Sequence, residues 1–149
     1  MPHLRVLRCK GVRIPTLRPL ARCPSSSALR VLSLMCSTTE EEGKEGDDGG
    51  PLRHLSPLKN LEVLDLDFFN LSDLSPLSGL ASLRCLDANY IRSDGRCHGV
   101  LELSRLTSLT ALHLESAPCS SHELERLREA FVPDRMASCL LTNRIVDMF

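Results

Sequence analysis

The sequence predicts an α/β solenoid: a parallel concave β-sheet with one short strand per repeat, a convex side of 3₁₀ or irregular turns, and a C-terminal helical cap. Three observations carry this. A six-residue pattern, L-x-x-L-x-L or a close variant, recurs five times, and the segments between copies place leucine at intervals of three. Leucine also fills 29 of 149 positions, while aromatic residues make up 3% and Trp is absent. One aliphatic side chain must therefore supply most of the interior, a bias that accompanies repeats.

The copies read "LRVLRC" from Leu4, "LRVLSL" from Leu29, "LEVLDL" from Leu61, "LRCLDA" from Leu83 and "LTALHL" from Leu109, with starts 25, 32, 22 and 26 residues apart. Within each copy the fourth and sixth positions, leucine or in two copies Cys9 and Ala88, alternate at period two, which fits a strand with one buried face. The connecting segments "LRPLARC", "LSPLKNL", "LSPLSGL" and "LSRLTSL" repeat as well. Leucine every third residue, as at 74, 77, 80, 83 and 86, fits neither the helix nor the strand period. It does give one apolar face to a 3₁₀-type return with three residues per turn. Pro57 and Pro76 suit such a return, because its regular hydrogen bonds are few. One unit cannot bury this face alone, so stacked units must share a continuous core.

Departures from the repeat locate the loops and ends. The second unit is overlong, and the excess lies in "STTEEEGKEGDDGG", residues 37–50, with six acidic residues against one lysine. Such a segment buries too little apolar surface to offset its ordering entropy, so a disordered loop is expected there. "IRSDGRCHG", residues 91–99, reads as a second polar loop. In "SSHELERLREAF" the period changes: Leu124, Leu127 and Phe131 recur at helical spacing behind Ser121 as a cap residue, predicting a terminal helix over 121–131. The array is thus placed at 1–131 and a C-terminal tail at 132–149, whose "CLL" and "IV" pairs suit a short packed segment. No equivalent cap precedes Leu4. An uncovered first unit invites self-association through its strand edge, or marks a piece of a longer array.

Composition excludes several classes. The formal net charge is −1 with a sequence pI near 6.5, so no global field favours nucleic acid or an anionic membrane. No uncharged run reaches membrane-span length and the N-terminus has no apolar signal core, so a cytoplasmic or nuclear location is expected. Seven cysteines without a C-x-x-C pair suggest reduced structural thiols rather than a zinc site, and no cofactor motif occurs.

The unit from Leu61 to Ser82, "LEVLDLDFFNLSDLSPLSGLAS", resembles a leucine-rich repeat of the short, 22-residue class found in internalins and in regulatory subunits of protein phosphatase 1. Its first six residues match the strand portion, and "LSDLSPLSGL" matches the convex segment. The resemblance spans about residues 3–131 and implies a scaffold or recognition role. One departure stands out: the family's asparagine would fall at 69, where this chain has Phe69 with Asn70 beside it. The ladder that usually satisfies the loop backbone is expected to be incomplete.

Alternation turns the third, fifth and seventh positions of each unit onto the concave face. The third-position column is Val6, Val31, Val63, Cys85 and Ala111; the fifth is Arg8, Ser33, Asp65, Asp87 and His113; the seventh is Lys10, Met35, Asp67, Asn89 and Glu115. Phe68 and Tyr90 follow at position eight. Acidic residues thus gather over the last three units, and like charges at strand spacing repel unless a solvent shell or a partner matches them. The expected site is a protein-binding concave face of Val63, Asp65, Asp67, Phe68, Cys85, Asp87, Asn89, Tyr90, His113 and Glu115, meeting a partner protein with a basic patch. Nucleic acid is disfavoured there, since Arg8 and Lys10 are too few for a phosphate track. Two rival readings are a truncated fragment without independent function and a cysteine hydrolase using Cys85, His113 and Asp87.

Overall fold

A computed structural model describes residues 3–24, 26–39, 50–91 and 97–131, and the backbone of 138–140. The five expected strands lie where the motif puts them. The strands are β1 (Val6–Arg8), β2 (Arg13–Ile14), β3 (Val31–Ser33), β4 (Thr38–Thr39), β5 (Val63–Asp65), β6 (Cys85–Asp87), β7 (Ala111–His113) and β8 (Ser138–Leu140). The main sheet runs β1-β3-β5-β6-β7-β8, and every pair in it is parallel. Equivalent positions of the repeat pair with one another: Leu7, Leu32, Leu64, Leu86 and Leu112 form one column across the sheet. From Leu32 onward these side chains are fully buried. This is the α/β solenoid the repeat predicts.

The returns are 3₁₀ segments at Pro51–Leu55, Ser75–Gly79 and Val100–Arg105, preceded in the first unit by the α-helix α1 (Arg18–Arg22). Their hydrogen bonds follow the three-residue rhythm: Leu58 N–H donates to Leu55, Leu80 to Leu77 and Leu106 to Leu103, at 2.9, 2.9 and 3.0 Å. Ser56, Ser78 and Ser104 each donate their hydroxyl to the carbonyl three residues back. These bonds correct the sequence alignment of the returns. The counterpart of "LSPLKNL" is "LSGLASL", residues 77–83, and not "LSPLSGL", because a three-residue leucine period matches itself when slipped by one turn. The stacked rows Leu55, Leu77, Leu103 and Leu58, Leu80, Leu106 are buried throughout, as a shared core between sheet and returns requires.

Three features differ from expectation. The loop placed at 37–50 begins later: Ser37 is buried, and Thr38–Thr39 form β4, paired in parallel with β2. Ser37 earns its place by bonding, since its Oγ accepts from Val12 N–H at 3.3 Å and lies 3.4 Å from the carbonyls of Cys9 and Met35. Residues 40–49 lie outside the described residues. The second difference is at the C-terminal end. Helix α2 (Ser121–Ala130) forms, and it buries Leu124 and Leu127. Its cap residue is Ser120 rather than Ser121, in a reciprocal box with Glu123, the arrangement that satisfies two orphan N–H groups at once. The chain then returns to the sheet, and β8 pairs with β7 inside the stretch assigned to the tail. The helix therefore occupies the convex return of the fifth unit. Third, Phe69 is fully buried where the family places asparagine, and Ile91 and Ala117 at the same position are buried too.

Candidate functional site

Position eight of every unit is left-handed: Gly11, Cys36, Phe68, Tyr90 and Ser116 have φ of 63, 55, 58, 53 and 52°. Four of these five are not glycine, although the left-handed region disfavours a Cβ by about 1–2 kcal/mol. What holds them is the ladder on either side. The N–H of Cys36 donates to the Asp67 carbonyl, that of Phe68 to Asn89 and that of Tyr90 to Glu115, at 2.8, 3.0 and 2.7 Å. The turn ends the strand and carries the next side chains onto the rim. Phe68 and Tyr90 consequently stack, with ring centroids 4.8 Å apart and planes at 8°. Phe68 remains 39% exposed.

Beside the stack, side chains at position seven replace the missing asparagine ladder. Asp67 Oδ1 accepts from the Asn89 N–H, and Asn89 Oδ1 accepts from the Glu115 N–H, both at 2.8 Å. Asp67 and Asn89 thus hold neighbouring units together as well as lining the face. Burial raises the Asp67 carboxyl above its ordinary value, the bond from Asn89 opposes this, and the charges of Asp65 and Asp87 add to the rise. The Tyr90 hydroxyl is also raised, first by its hydrogen bond to Glu115.

The fifth-position row resolves the like-charge contact in another way. Asp65 and Asp87 are in register on adjacent strands, yet each has a partner on its far side. Ser33 Oγ donates to Asp65 Oδ2 at 2.7 Å, and the Asp67 N–H donates to Asp65 Oδ1 at 3.1 Å. His113 Nδ1 is hydrogen-bonded to Asp87 Oδ1. Cys85 Sγ lies 3.8 Å from Asp87 Oδ2 as a donor. Its thiol is pushed up, first by burial and then by Asp87 and Asp65, which keeps it protonated. The structure therefore brings the ten predicted residues together along the concave side and its rim, and ties most of them into hydrogen bonds there: Asp67 and Asn89 bridge units, His113 and Cys85 meet Asp87, and Tyr90 meets Glu115. Sequence reading missed the left-handed column, since Gly, Cys, Phe, Tyr and Ser share no chemistry; only the repeat register exposes it.

Elsewhere, Cys97 and Cys119 are buried. Burial pushes the Cys97 thiol to about 12 and the Cys119 thiol to about 11. Among the described residues no group of three or more His, Cys, Asp or Glu could hold a metal ion. No helix among them is long and apolar enough to cross a membrane.

Comparison with solved structures identifies the fold. An internalin (inlF) from Listeria monocytogenes strain 4b F2365 superposes with a TM-score of 0.68 at 23% identity, over 95% of this chain and 36% of that one. An internalin C2 (inlC2) from the same strain superposes with a TM-score of 0.53 at 26% identity, over 74% of this chain and 42% of that one. The chain thus spans well under half the length of either. No family model and no curated protein matches the sequence. The parallel sheet and these neighbours together show a leucine-rich repeat fold.

Proposed function

We propose that this stretch of repeats is a protein-interaction scaffold whose concave face, over the third to fifth units, receives a partner through a basic patch. The observation that carries the reading is the stacked, part-exposed Phe68–Tyr90 pair set among Asp65, Asp67, Asp87 and Glu115. Aromatic anchors dominate binding energy where they are desolvated, and surrounding carboxylates steer and orient a cationic partner. Arginine suits such a surface better than lysine, because its planar guanidinium stacks on a ring and pairs with a carboxylate at once. Hydrolysis by Cys85, His113 and Asp87 is the weaker reading. A nucleophilic thiol needs a depressed pKa, and this one is raised.

The test is fluorescence anisotropy with a labelled arginine-rich peptide and the full chain. Phe68→Ala with Tyr90→Ala is expected to weaken binding by about thirtyfold, the scale of losing a hot spot. Asp65→Lys with Asp87→Lys is expected to abolish it. A double variant at the stack that melts like the parent and binds as tightly would overturn the concave-face reading.

A further inference from the structure

We propose that the edge of the sheet where the chain enters strands β5 to β7 carries an anion site centred on Arg84, and that it takes a phosphomonoester group. None of its residues belongs to the concave surface proposed above, and the charge it presents is the opposite one.

Position two of each unit, the residue just before the strand, forms a row: Arg30, Glu62, Arg84 and Thr110 in the second to fifth units. Backbone bonds stack them, with the Arg84 N–H donating to the Glu62 carbonyl and the Thr110 N–H to the Arg84 carbonyl, both at 2.8 Å. One carboxylate thus stands between two guanidiniums. It is committed to Arg30, whose Nη1 lies 2.8 Å from Glu62 Oε1. Arg84 is exposed, and among the described residues its guanidinium has neither an ion pair nor a hydrogen bond. The row therefore keeps one uncompensated positive charge, and an exposed cation of this kind raises the local concentration of an anion.

The neighbouring row explains why a groove opens beside this charge. At the residue before a unit's first leucine, Asn60 spans the step to the preceding unit, its Nδ2 donating to the Ser27 carbonyl at 2.7 Å. The equivalent residues of the next two units are Ser82 and Ser108. They are too short to span that step, and among the described residues their hydroxyls have no hydrogen-bond partner. What results is an open groove of about 640 Å³, lined by the Arg30–Glu62 pair together with Arg84, Ser82, Thr107 and Ser108. The Thr107 hydroxyl is likewise without a partner, whereas that of Thr110 is held by the Arg84 carbonyl at 3.1 Å. One guanidinium fork and three free hydroxyls are thus available as donors. A phosphoryl group offers them three oxygens, two of which the fork binds at once. A carboxylate, with two coplanar oxygens, would satisfy the fork and leave the hydroxyls unserved. The apolar side chain against the groove, Leu109, is 2% exposed, and none of the lining residues is aromatic, so there is no wall for a nucleotide base. Recognition falls on the phosphoryl end of a small ester or of a phosphorylated side chain.

The probes are inorganic phosphate, glycerol phosphate and a phosphoserine tetrapeptide, each titrated into the full chain at constant ionic strength, because an exposed site is screened by salt. Saturable binding is expected, with amide shifts concentrated at Ser82, Arg84 and Ser108. Arg84→Gln should weaken it by about tenfold or more, the scale of a lost charge-assisted bond. Ser82→Ala with Ser108→Ala should weaken it by about fivefold, through the lost hydroxyl donors. The Phe68→Ala, Tyr90→Ala chain should bind normally, which separates this site from the concave one. Tightest binding by the tetrapeptide would support the site and identify a phosphorylated side chain as its source of phosphate; equal binding of all three probes would support it for the phosphoryl group alone. No saturable binding, or equal affinity in an Arg84→Gln chain that melts like the parent, would overturn the proposal. So would acetate binding as tightly as phosphate, since that outcome describes a bare cation and not a tetrahedral site.

Discussion

Asp67 carries two roles of opposite electrostatic sense. Its Oδ1 accepts the Asn89 N–H and so bridges two units, but its charge sits part-buried beside Asp65 and Asp87, and its pKa is raised. A carboxyl with a raised folded-state pKa binds its proton more tightly folded than unfolded. Its contribution to stability is therefore complete below the unfolded value of 3.8, and is lost as pH rises through the folded value. Asn at this position keeps the acceptor and removes the charge. Asp67→Asn is expected to melt above the parent at neutral pH, with the gap closing on acidification through the Asp67 titration. Melting curves across that range decide it. A variant that melts lower at neutral pH would mean that the charge on the acceptor strengthens the Asn89 bond by more than repulsion costs.

Among the elements, the returns depend on close backbone approach where sequence alone shows only a polar loop. Gly99 precedes the third 3₁₀ segment with φ +75°, and a Cβ there would stand 2.2 Å from Ser75 Oγ and 2.3 Å from Ser75 N. Ser75 cannot retreat cheaply, because its N–H and hydroxyl both donate to Asp73 Oδ1, at 2.8 and 2.6 Å. Gly99→Ala is expected to cost about 3 kcal/mol or more, combining left-handed strain with a clash between units. Gly79→Ala is the internal control. Its Cβ would meet only Lys59 Nζ, at 3.3 Å, the far end of a flexible side chain, so a change within about 0.5 kcal/mol is expected. Urea denaturation of the two variants measures both, and equal losses would refute the packing argument. The same elements show what was legible. Strand register was, because Leu64 and Leu86 must face inward and a one-residue slip would expose them. The register of the returns was not, because leucine every third residue is degenerate under a three-residue shift. Pairing of β2 with β4 was hidden for another reason: Arg13–Ile14 and Thr38–Thr39 are two residues each, too short for any period. Eight of the ten candidate site residues could be assigned to one face by alternation; Phe68 and Tyr90, at position eight, reach the rim through the left-handed turn. That Asp67 and Asn89 also hold the units together required the bonds themselves.

Across the whole molecule, burial is graded along the solenoid, and a repeat array inherits its local stability from each unit and its neighbour interfaces. The central units contribute fully buried columns, including Leu64, Leu86, Leu58 and Leu80. The first unit contributes Leu4, Leu7, Ile14 and Leu20 only in part. Its interface with the second unit nevertheless holds regular backbone bonds, including Cys9 N–H to Ser33 and Gly11 N–H to Met35, at 2.8 and 2.9 Å. Bond geometry alone would thus rank the first and central units as equals; apolar burial would not. Because opening free energies follow burial and coupling more than bond length, hydrogen exchange should separate the two views. The amides of Cys9 and Gly11 are expected to exchange well before those of Leu66 and Ala88, whose bonds to Asp87 and His113 are 2.7 and 2.9 Å. Uniform protection from Cys9 to Ala88 would mean that the array opens only as one unit.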